Sequence, residues 1–260
     1  MKLVRVAMLG DVIGTPGLEI LETKLPALIQ EHNIDFVTVN GENAAEGFGM
    51  TEKDFQRLIA AGADVVTSGN HVWEKREFWP VLESQKNMLR PANYPADPAG
   101  VPGTGFACVE KNGVTWAVIN LQGRELMSAI DCPFQCFDRI VSARTGSAIV
   151  LVDFHAESSR EKEALGYYAD GRAALIAGTH THVQTADERI LPKGSAYITD
   201  LGLTGITDSV IGMNPEICLE RFRRQIQYQM KIADNKTARI QGVIVEINTD
   251  TGTAVSIRRI

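Results

Sequence analysis

The chain has 260 residues, with 26 Lys+Arg against 32 Asp+Glu and a formal net charge of −6. Hydrophobic residues make up 44% and charged residues 22%, the mix of a soluble globular fold long enough to bury a core without staples. Disorder and fibrous architecture are excluded, and the acidic balance argues against strong electrostatic binding of nucleic acid or anionic membrane.

Leu3–Leu9 reads as a first buried strand. Gly10-Asp11-Val12-Ile13-Gly14 follows it, and then a helix that Thr15 is expected to cap with Pro16 at its first position. Leu18, Leu21, Leu25, Leu28 and Ile29 share one face of that helix. Phe36–Val39 is the second strand, with Asn40-Gly41-Glu42-Asn43 behind it. Thr51 and Asp54 form a capping box for the next helix, and Gly62 suits its end. Val65–Thr67 precedes Gly69-Asn70-His71, after which Trp73, Phe78 and Trp79 read as core aromatics. Pro91–Gly105 is a Pro/Gly-rich loop. Phe106–Val109 and Thr115–Asn120 flank Lys111-Asn112-Gly113, an Asn-Gly hairpin.

Ala148–Phe154 runs into His155, and Ser158 with Glu161 repeats the capping signal. Ala173–Ala177 is followed by Gly178-Thr179-His180-Thr181-His182. Leu201–Asn214, rich in Gly, Thr and Ser, suits either a mobile flap or a surface loop. Pro215–Lys231 is expected to be helical, with Arg221–Arg224 on a solvated face. Val243–Ile247 and Ala254–Ile257 form a last hairpin. Strand–helix alternation implies a mainly parallel central sheet. Residues 1–260 read as one domain, with strands on two packed sheets and helices outside.

Cys108, Cys132, Cys136 and Cys218 form no CxxC pair and read as small core hydrophobes. No stretch resembles a secretory signal, and no apolar run approaches the roughly 20 residues of a membrane span. A cytoplasmic protein with no membrane association is expected. The sequence is compatible with a homo-oligomer.

In α/β sheets, ligands gather at the carboxyl ends of the strands. Here each of the strand ends above delivers a carboxylate, an amide or an imidazole, and every histidine except His32 sits at one of them. Singly, each has an ordinary reading: Asp11 as a helix cap, Asn43 as a turn residue, a histidine as a hydrogen-bonded structural group. Together they point to metal. His180 and His182, in strand-like backbone, are expected to point the same way, and Gly69 and Gly178 suit close backbone approach. Imidazoles with carboxylate and amide oxygens, and no thiolate, suit Zn, Mn or Fe. The surplus of ligands suggests two ions with Glu42 between them, a positive centre that attracts phosphate and lowers the pKa of a bound water.

Asp11, the Asn40–Asn43 segment, Gly69-Asn70-His71, His155 and Gly178–His182 resemble the ordered motif series of the calcineurin-like metallophosphoesterases. Asn40-Gly41-Glu42-Asn43 in place of a Gly-Asp second motif, Arg90–Pro95 and Thr199–Gly212 are similar to the YmdB-like bacterial branch, whose members are associated with cyclic-nucleotide phosphodiesterase activity. The resemblance implies a four-layer α/β/β/α sandwich with mixed sheets and two transition-metal ions, Fe or Mn, with Zn an option. Asp11, Glu42, Asn43 and His182 would hold the first ion; Glu42, Asn70, His155 and His180 would hold the second. His71 would protonate the leaving oxygen. The chain departs from the superfamily at Ile13, where a histidine ligand is usual and for which Asn43 would substitute, and at Glu42, which stands for a bridging Asp.

The reaction so implied is hydrolysis of a small phosphodiester, a 2′,3′-cyclic nucleotide first, by a metal-bound hydroxide. A phosphomonoesterase with the same centre is an alternative. So is a catalytically silent regulatory protein that binds metal or nucleotide, although pure binding needs no proton donor such as His71. A metal-dependent hydrolase of another class, of amides for example, would be distinguished by whether phosphate competes for the site. No GxxxxGK[ST], GxSxG or HExxH motif is present.

Overall fold

A computed structural model describes residues 2–95, 100–143 and 147–260. In chain order the first elements are β1 (Leu3–Leu9), β2 (Asp11–Val12), α1 (Gly14–His32), β3 (Phe36–Asn40), α2 (Glu52–Ala61), β4 (Val65–Thr67) and α3 (Trp79–Ser84). There follow β5 (Phe106–Lys111), β6 (Val114–Gln122), α4 (Pro133–Ala143), β7 (Ile149–His155), α5 (Ser159–Ala169) and β8 (Leu175–Thr179). The last are β9 (Arg189–Ile190), β10 (Ala196–Ile198), β11 (Leu203–Ile206), α6 (Pro215–Arg224), β12 (Ala238–Arg239), β13 (Gly242–Asn248) and β14 (Thr253–Arg259).

Among the described residues the strands form two large sheets, β14-β13-β1-β3-β4 and β5-β6-β7-β8-β10-β9, and a small one, β12-β11-β2. The middle of each large sheet is parallel: β1 with β3 and β4 in one, β6 with β7, β8 and β10 in the other. Hairpins supply the antiparallel edges β5–β6 and β13–β14, the first turning through Asn112 and Gly113 at φ 53° and 72°, as an Asn-Gly turn requires.

The period-2 alternation of β1 divides its side chains between two interiors. Val6 and Met8 face the other sheet, where Phe36 stacks on Trp116 with centroids 4.7 Å apart. Ala7 and Leu9 face Leu18 and Leu21 of α1 and Phe55 and Leu58 of α2. On the far side Phe137 of α4 and Leu165 of α5 cover Val152 and Phe154 of β7. Helices, sheet, sheet, helices: the four-layer α/β/β/α sandwich is the observed architecture. The capping box at Thr51–Asp54, the left-handed stop at Gly62 and the Ser158 cap are all present. Phe78 is buried, and Trp73 and Trp79 pack half-buried against the same core.

Several local expectations are corrected. Thr15 does not cap α1; the cap position is Ile13, with no side-chain bond. Pairing of β2 with β11 fixes Ile13 through its N–H to the Thr204 carbonyl at 2.9 Å, and the Asn43 carbonyl accepts from Gly14 N at 3.0 Å. A neighbouring loop thus satisfies a helix-end donor that a side chain usually takes. Helix α6 ends at Arg224 rather than Lys231, with Gln225 left-handed at φ 55°. Lys231 is instead drawn back to accept from Asn214 N at 2.8 Å. Leu201–Asn214 is no plain surface loop, since its β11 portion is buried. Cys136 and Cys218 are core residues, but Cys132 is half-buried and Cys108 exposed. Of Pro91–Gly105, residues 96–99 lie outside the described residues; the remainder forms no regular element. Among the described residues no helix is long and apolar enough to cross a membrane.

Candidate metal centre

The carboxyl ends of β1, β3, β4, β7 and β8 converge on one spot. Glu42, His155 and His180 offer ligand atoms that all lie within 4.8 Å of one another. His155 Nε2 lies 3.1 Å from Glu42 Oε1, 3.0 Å from Asn70 Oδ1 and 3.0 Å from His180 Nδ1. One ring N–H serves one acceptor well and not three. On the other side of the same imidazole, Nδ1 is 3.8 Å from Asp11 Oδ1 and 3.0 Å from Thr179 Oγ1. His182 Nε2 lies 4.0 Å from the same Asp11 oxygen. Asn43 is buried, tied by its Nδ2 to the Gly47 carbonyl at 2.9 Å, and lines the same cavity as Glu42, His71, His180 and His182.

Whether these residues fit metal is tested by what they leave unused. Asp11 Oδ1 and Asn43 Oδ1 are buried and accept no hydrogen bond among the described residues, and the equally buried Glu42 Oε1 has beside it only the His155 Nε2 that Asn70 and His180 also crowd. Buried oxygens with no donor, or with one shared among three groups, are costly, and three such oxygens in one place call for a cation. The donor set, carboxylates, amides and imidazoles with no thiolate, is one that binds Fe, Mn or Zn. Gly69 leaves the room: a Cβ there would stand 2.2 Å from His155 Nε2 and 2.4 Å from Glu42 Oε2. The residues fit.

The electrostatics show how the folded chain bears this arrangement by itself. Burial pushes the Asp11 carboxyl up to about 6, against the pull of His182 and His155. Burial also works to raise Glu42, but the charge and hydrogen bond of His155 outweigh it and hold the carboxyl down to about 2. Burial lowers His155, yet Glu42, Asp11 and Asp153 together raise its imidazole to about 9. His180 is lowered to about 3 by burial and by the His155 charge. The Glu42 carboxylate and the His155 imidazole thus each favour the other's charged form.

The backbone carries strain where the histidines leave β8. His180 has φ 100° and His182 φ 63°, values uncommon outside glycine and concentrated at functional sites. The two histidines are thus not in extended backbone, and the expectation that they point alike is corrected: His180 turns to His155, His182 to Asp11. Asp200 holds this loop. Its Oδ2 accepts from Thr181 N at 3.2 Å, from Thr181 Oγ1 at 2.8 Å and from the buried Lys162 Nζ at 2.6 Å. Gly178 permits the approach, since a Cβ there would lie 2.8 Å from Lys162 Cδ. Beneath the centre, Asp153 accepts from Thr67 Oγ1, Asn40 Nδ2 and Thr179 Oγ1 at 2.5, 3.0 and 2.7 Å.

His71 is partly exposed at the cavity, its backbone N–H donating to Glu42 Oε2 at 3.2 Å and its Nδ1 3.4 Å from Glu74 Oε1. The cavity has a volume of about 380 Å³. Its lining adds residues that sequence reasoning missed: Glu157, with Oε2 3.0 Å from His180 Nε2, and Arg221, read as solvated surface. Asp153 and Lys162 carried a signal, a charge inside an apolar run or on an apolar helix face. Glu157 and Arg221 carried none.

A family model described as YmdB-like protein matches residues 7–260. The 2′,3′-cyclic-nucleotide 2′-phosphodiesterase of Bacillus subtilis is 45% identical over 98% of this chain and 96% of its own. The crystal structure of a novel phosphatase from Mycoplasma pneumoniae superposes with a TM-score of 0.93 at 34% identity, covering 100% of this chain and 93% of that one. A 5′-nucleotidase structure from Staphylococcus aureus, 13% identical with a TM-score of 0.64, covers 100% of this chain and 54% of that one, and shares the fold.

Proposed function

The chain belongs to the YmdB-like protein family, and from that premise we propose that it hydrolyses small phosphodiesters at a two-metal centre, 2′,3′-cyclic nucleotides foremost. Its similarity to a phosphodiesterase of Bacillus subtilis and to a phosphatase of Mycoplasma pneumoniae supports phosphoric ester hydrolysis as the reaction class. The observation that supports the metal reading is the group of buried oxygens on Asp11, Asn43 and Glu42, the first two without a donor among the described residues and the third sharing one with two other groups.

Asp11, Glu42, Asn43 and His182 would hold one ion and Glu42, Asn70, His155 and His180 the other, with Fe or Mn preferred and Zn acceptable to the same donors. Bound there, two such ions supply a water activated as nucleophile and neutralise charge on the phosphoryl oxygens. The chain does the rest. Asp11 and Glu42 are held in place by the backbone N–H groups of His180 and His71. His71, at the cavity and tied through its backbone to Glu42, donates a proton to the leaving oxygen; a ribose alkoxide is a poor leaving group and needs one. Glu74 beside Nδ1 orients the ring.

The test compares kcat/KM for 2′,3′-cyclic AMP, a linear diester and a phosphomonoester, alongside metal content. Preference for the cyclic diester is expected, and preference for the monoester would overturn the diesterase reading. His71→Ala should keep its metal while turnover of the cyclic diester falls by about 10²–10⁴-fold. Wild-type turnover in that variant would overturn the proton-donor role.

A further inference from the structure

Phe48 is an exposed aromatic that the chain takes trouble to hold. The segment around it is left-handed at three of four positions, Glu46 at φ 55°, Gly47 at 89° and Gly49 at 77°, so the loop curls outward and its tip presents the ring. Both glycines hold a backbone that L side chains rarely adopt, and a Cβ would in addition press on Met213 Cε at 2.8 Å from Gly47 and on Glu74 Cβ at 3.0 Å from Gly49. The loop is pinned from below by the Asn43 Nδ2 bond to the Gly47 carbonyl and by Ala45 N donating to the Gly49 carbonyl at 3.0 Å. Phe48 is nevertheless 40% exposed. Its ring stands edge-on to His71, centroids 5.1 Å apart, and lines the cavity over the metal centre together with Met230 and Arg221.

A second recess of about 630 Å³ lies next to that cavity and shares Phe48 and Met230 with it. Together they offer far more room than a phosphate fills, within the range of ligand pockets, about 300–1,000 Å³ each. Phe48, Met230 and Ile232 give the second recess an apolar side and Glu46, Gln229 and Lys231 a polar one, and Arg221 forms no ion pair among the described residues. A flat, apolar, rigidly held ring with one edge against the proton donor suits a planar group carried on the substrate some way from its phosphorus.

We propose that Phe48 is a specificity-determining residue whose ring stacks on the nucleobase of the substrate, with Met230 closing the apolar side and Arg221 on the rim meeting the anionic ligand. This rests on the cyclic-nucleotide reading above and deepens it: the enzyme selects a nucleotide rather than a bare sugar phosphate. Stacking on one exposed ring is sequence-tolerant because every base has a π-face, so the subsite distinguishes base from no base more than one base from another.

The experiment measures kcat/KM of the metal-loaded enzyme for adenosine 2′,3′-cyclic phosphate and for the base-free methyl riboside 2,3-cyclic phosphate, in wild type, Phe48→Ala and Phe48→Trp. In Phe48→Ala the ratio of the two kcat/KM values is expected to fall about tenfold, the size of one base–aromatic stack, mainly through KM for the nucleotide. Phe48→Trp should restore the ratio, and its added fluorescence should quench on titration with AMP where the wild type changes little. An unaltered ratio in Phe48→Ala, in an enzyme that hydrolyses both esters, overturns the base subsite and leaves the diesterase reading standing. If Phe48→Ala does not fold, absence of quenching in Phe48→Trp overturns it equally. A wild type that hydrolyses neither ester overturns both.

Discussion

The two halves of the candidate centre are built differently. Around Glu42, Asn70, His155 and His180 the polar atoms already touch, at 3.0–3.1 Å from the His155 Nε2. Around Asp11, Asn43 and His182 they do not: the His182 ring nitrogen stays 4.0 Å from Asp11, and Asn43 Oδ1 accepts nothing among the described residues. In the first half Glu42 and His155 favour each other's charged form. One half is therefore drawn together by its own hydrogen bonds, whereas the other leaves buried oxygens without donors among the described residues.

The largest effect should come from the residue that both halves share. Glu42→Ala is expected to remove bound metal from both positions and bring phosphodiester turnover below detection, because it also deprives His155 of the carboxylate that raises it. Metal analysis after gel filtration decides; retention of one full equivalent would mean that the halves do not share Glu42.

Asp11→Asn separates the halves and carries opposite signs in the two forms of the protein. With metal it should lose ligand charge and metal from the open half. Under chelation it should be more stable than wild type, because the buried Asp11 carboxyl titrates at about 6 in the folded chain against an ordinary aspartate value of 3.8. That upward shift penalises the folded state above pH 6, by up to about 3 kcal/mol, and the penalty is relieved as pH falls from 6 toward 3.8. Thermal melts in chelator at pH 8 and pH 5 should show a gain from Asp11→Asn at pH 8 that shrinks at pH 5. An equal gain at both would refute the assignment of the shift.

His155 gives a third handle, on the first half. Its imidazole is raised to about 9 without metal, and a ligand must be neutral, so binding expels a proton. Apparent affinity should rise about tenfold per pH unit from pH 7 toward 9. Calorimetry in buffers of different ionisation enthalpy reads the released proton directly, and no buffer dependence at pH 7 would contradict the raised imidazole.

The smallest expected effect lies outside the ligands. Thr181→Val removes a hydroxyl that donates to Asp200 while leaving the backbone bond of Thr181 in place. It should lower metal affinity by roughly tenfold or less and stability by about 1 kcal/mol. A loss as large as that of Asp11→Asn would mean that Asp200, rather than the ligands, dominates the open half.

Much of this was legible in the chain because the signal was periodic or tied to a strand end. β-Branched runs gave the parallel strands, Asn112-Gly113 gave a hairpin, and residues just after the strands gave the candidate ligands in order. What was not legible depended on partners far away in sequence. Thr15 looked like a cap, but Asn43 and Thr204 had taken over the helix end. Pro215–Lys231 read as one helix, but the Asn214 bond to the Lys231 carbonyl draws the chain back and the helix stops at Arg224. His180 and His182 looked like alternating strand residues, and no local pattern announces a left-handed backbone held by Asp200. Arg221 looked like surface because nothing in the α6 pattern shows that the helix end borders the cavity.

The strand order has a consequence for how the protein is made. β1 lies between β3 and β13, and its pairing runs from Leu3 opposite Asn248 to Leu9 opposite Gly242, a partner over 230 residues later. At synthesis rates of about 5–20 residues per second, the free edge of β1 waits roughly 10–50 s for its neighbour. During that time Leu3–Leu9 is an apolar strand with an open row of hydrogen-bonding groups, the kind of edge that recruits other chains. One residue in it is charged: Arg5, which in the finished sheet meets Glu246 of β13 at 3.0 Å. A half-exposed ion pair adds little to the folded state, but a positive charge in the middle of a waiting strand repels another copy of itself. Replacing Arg5 with valine should leave the melting temperature nearly unchanged and lower the soluble fraction recovered from synthesis.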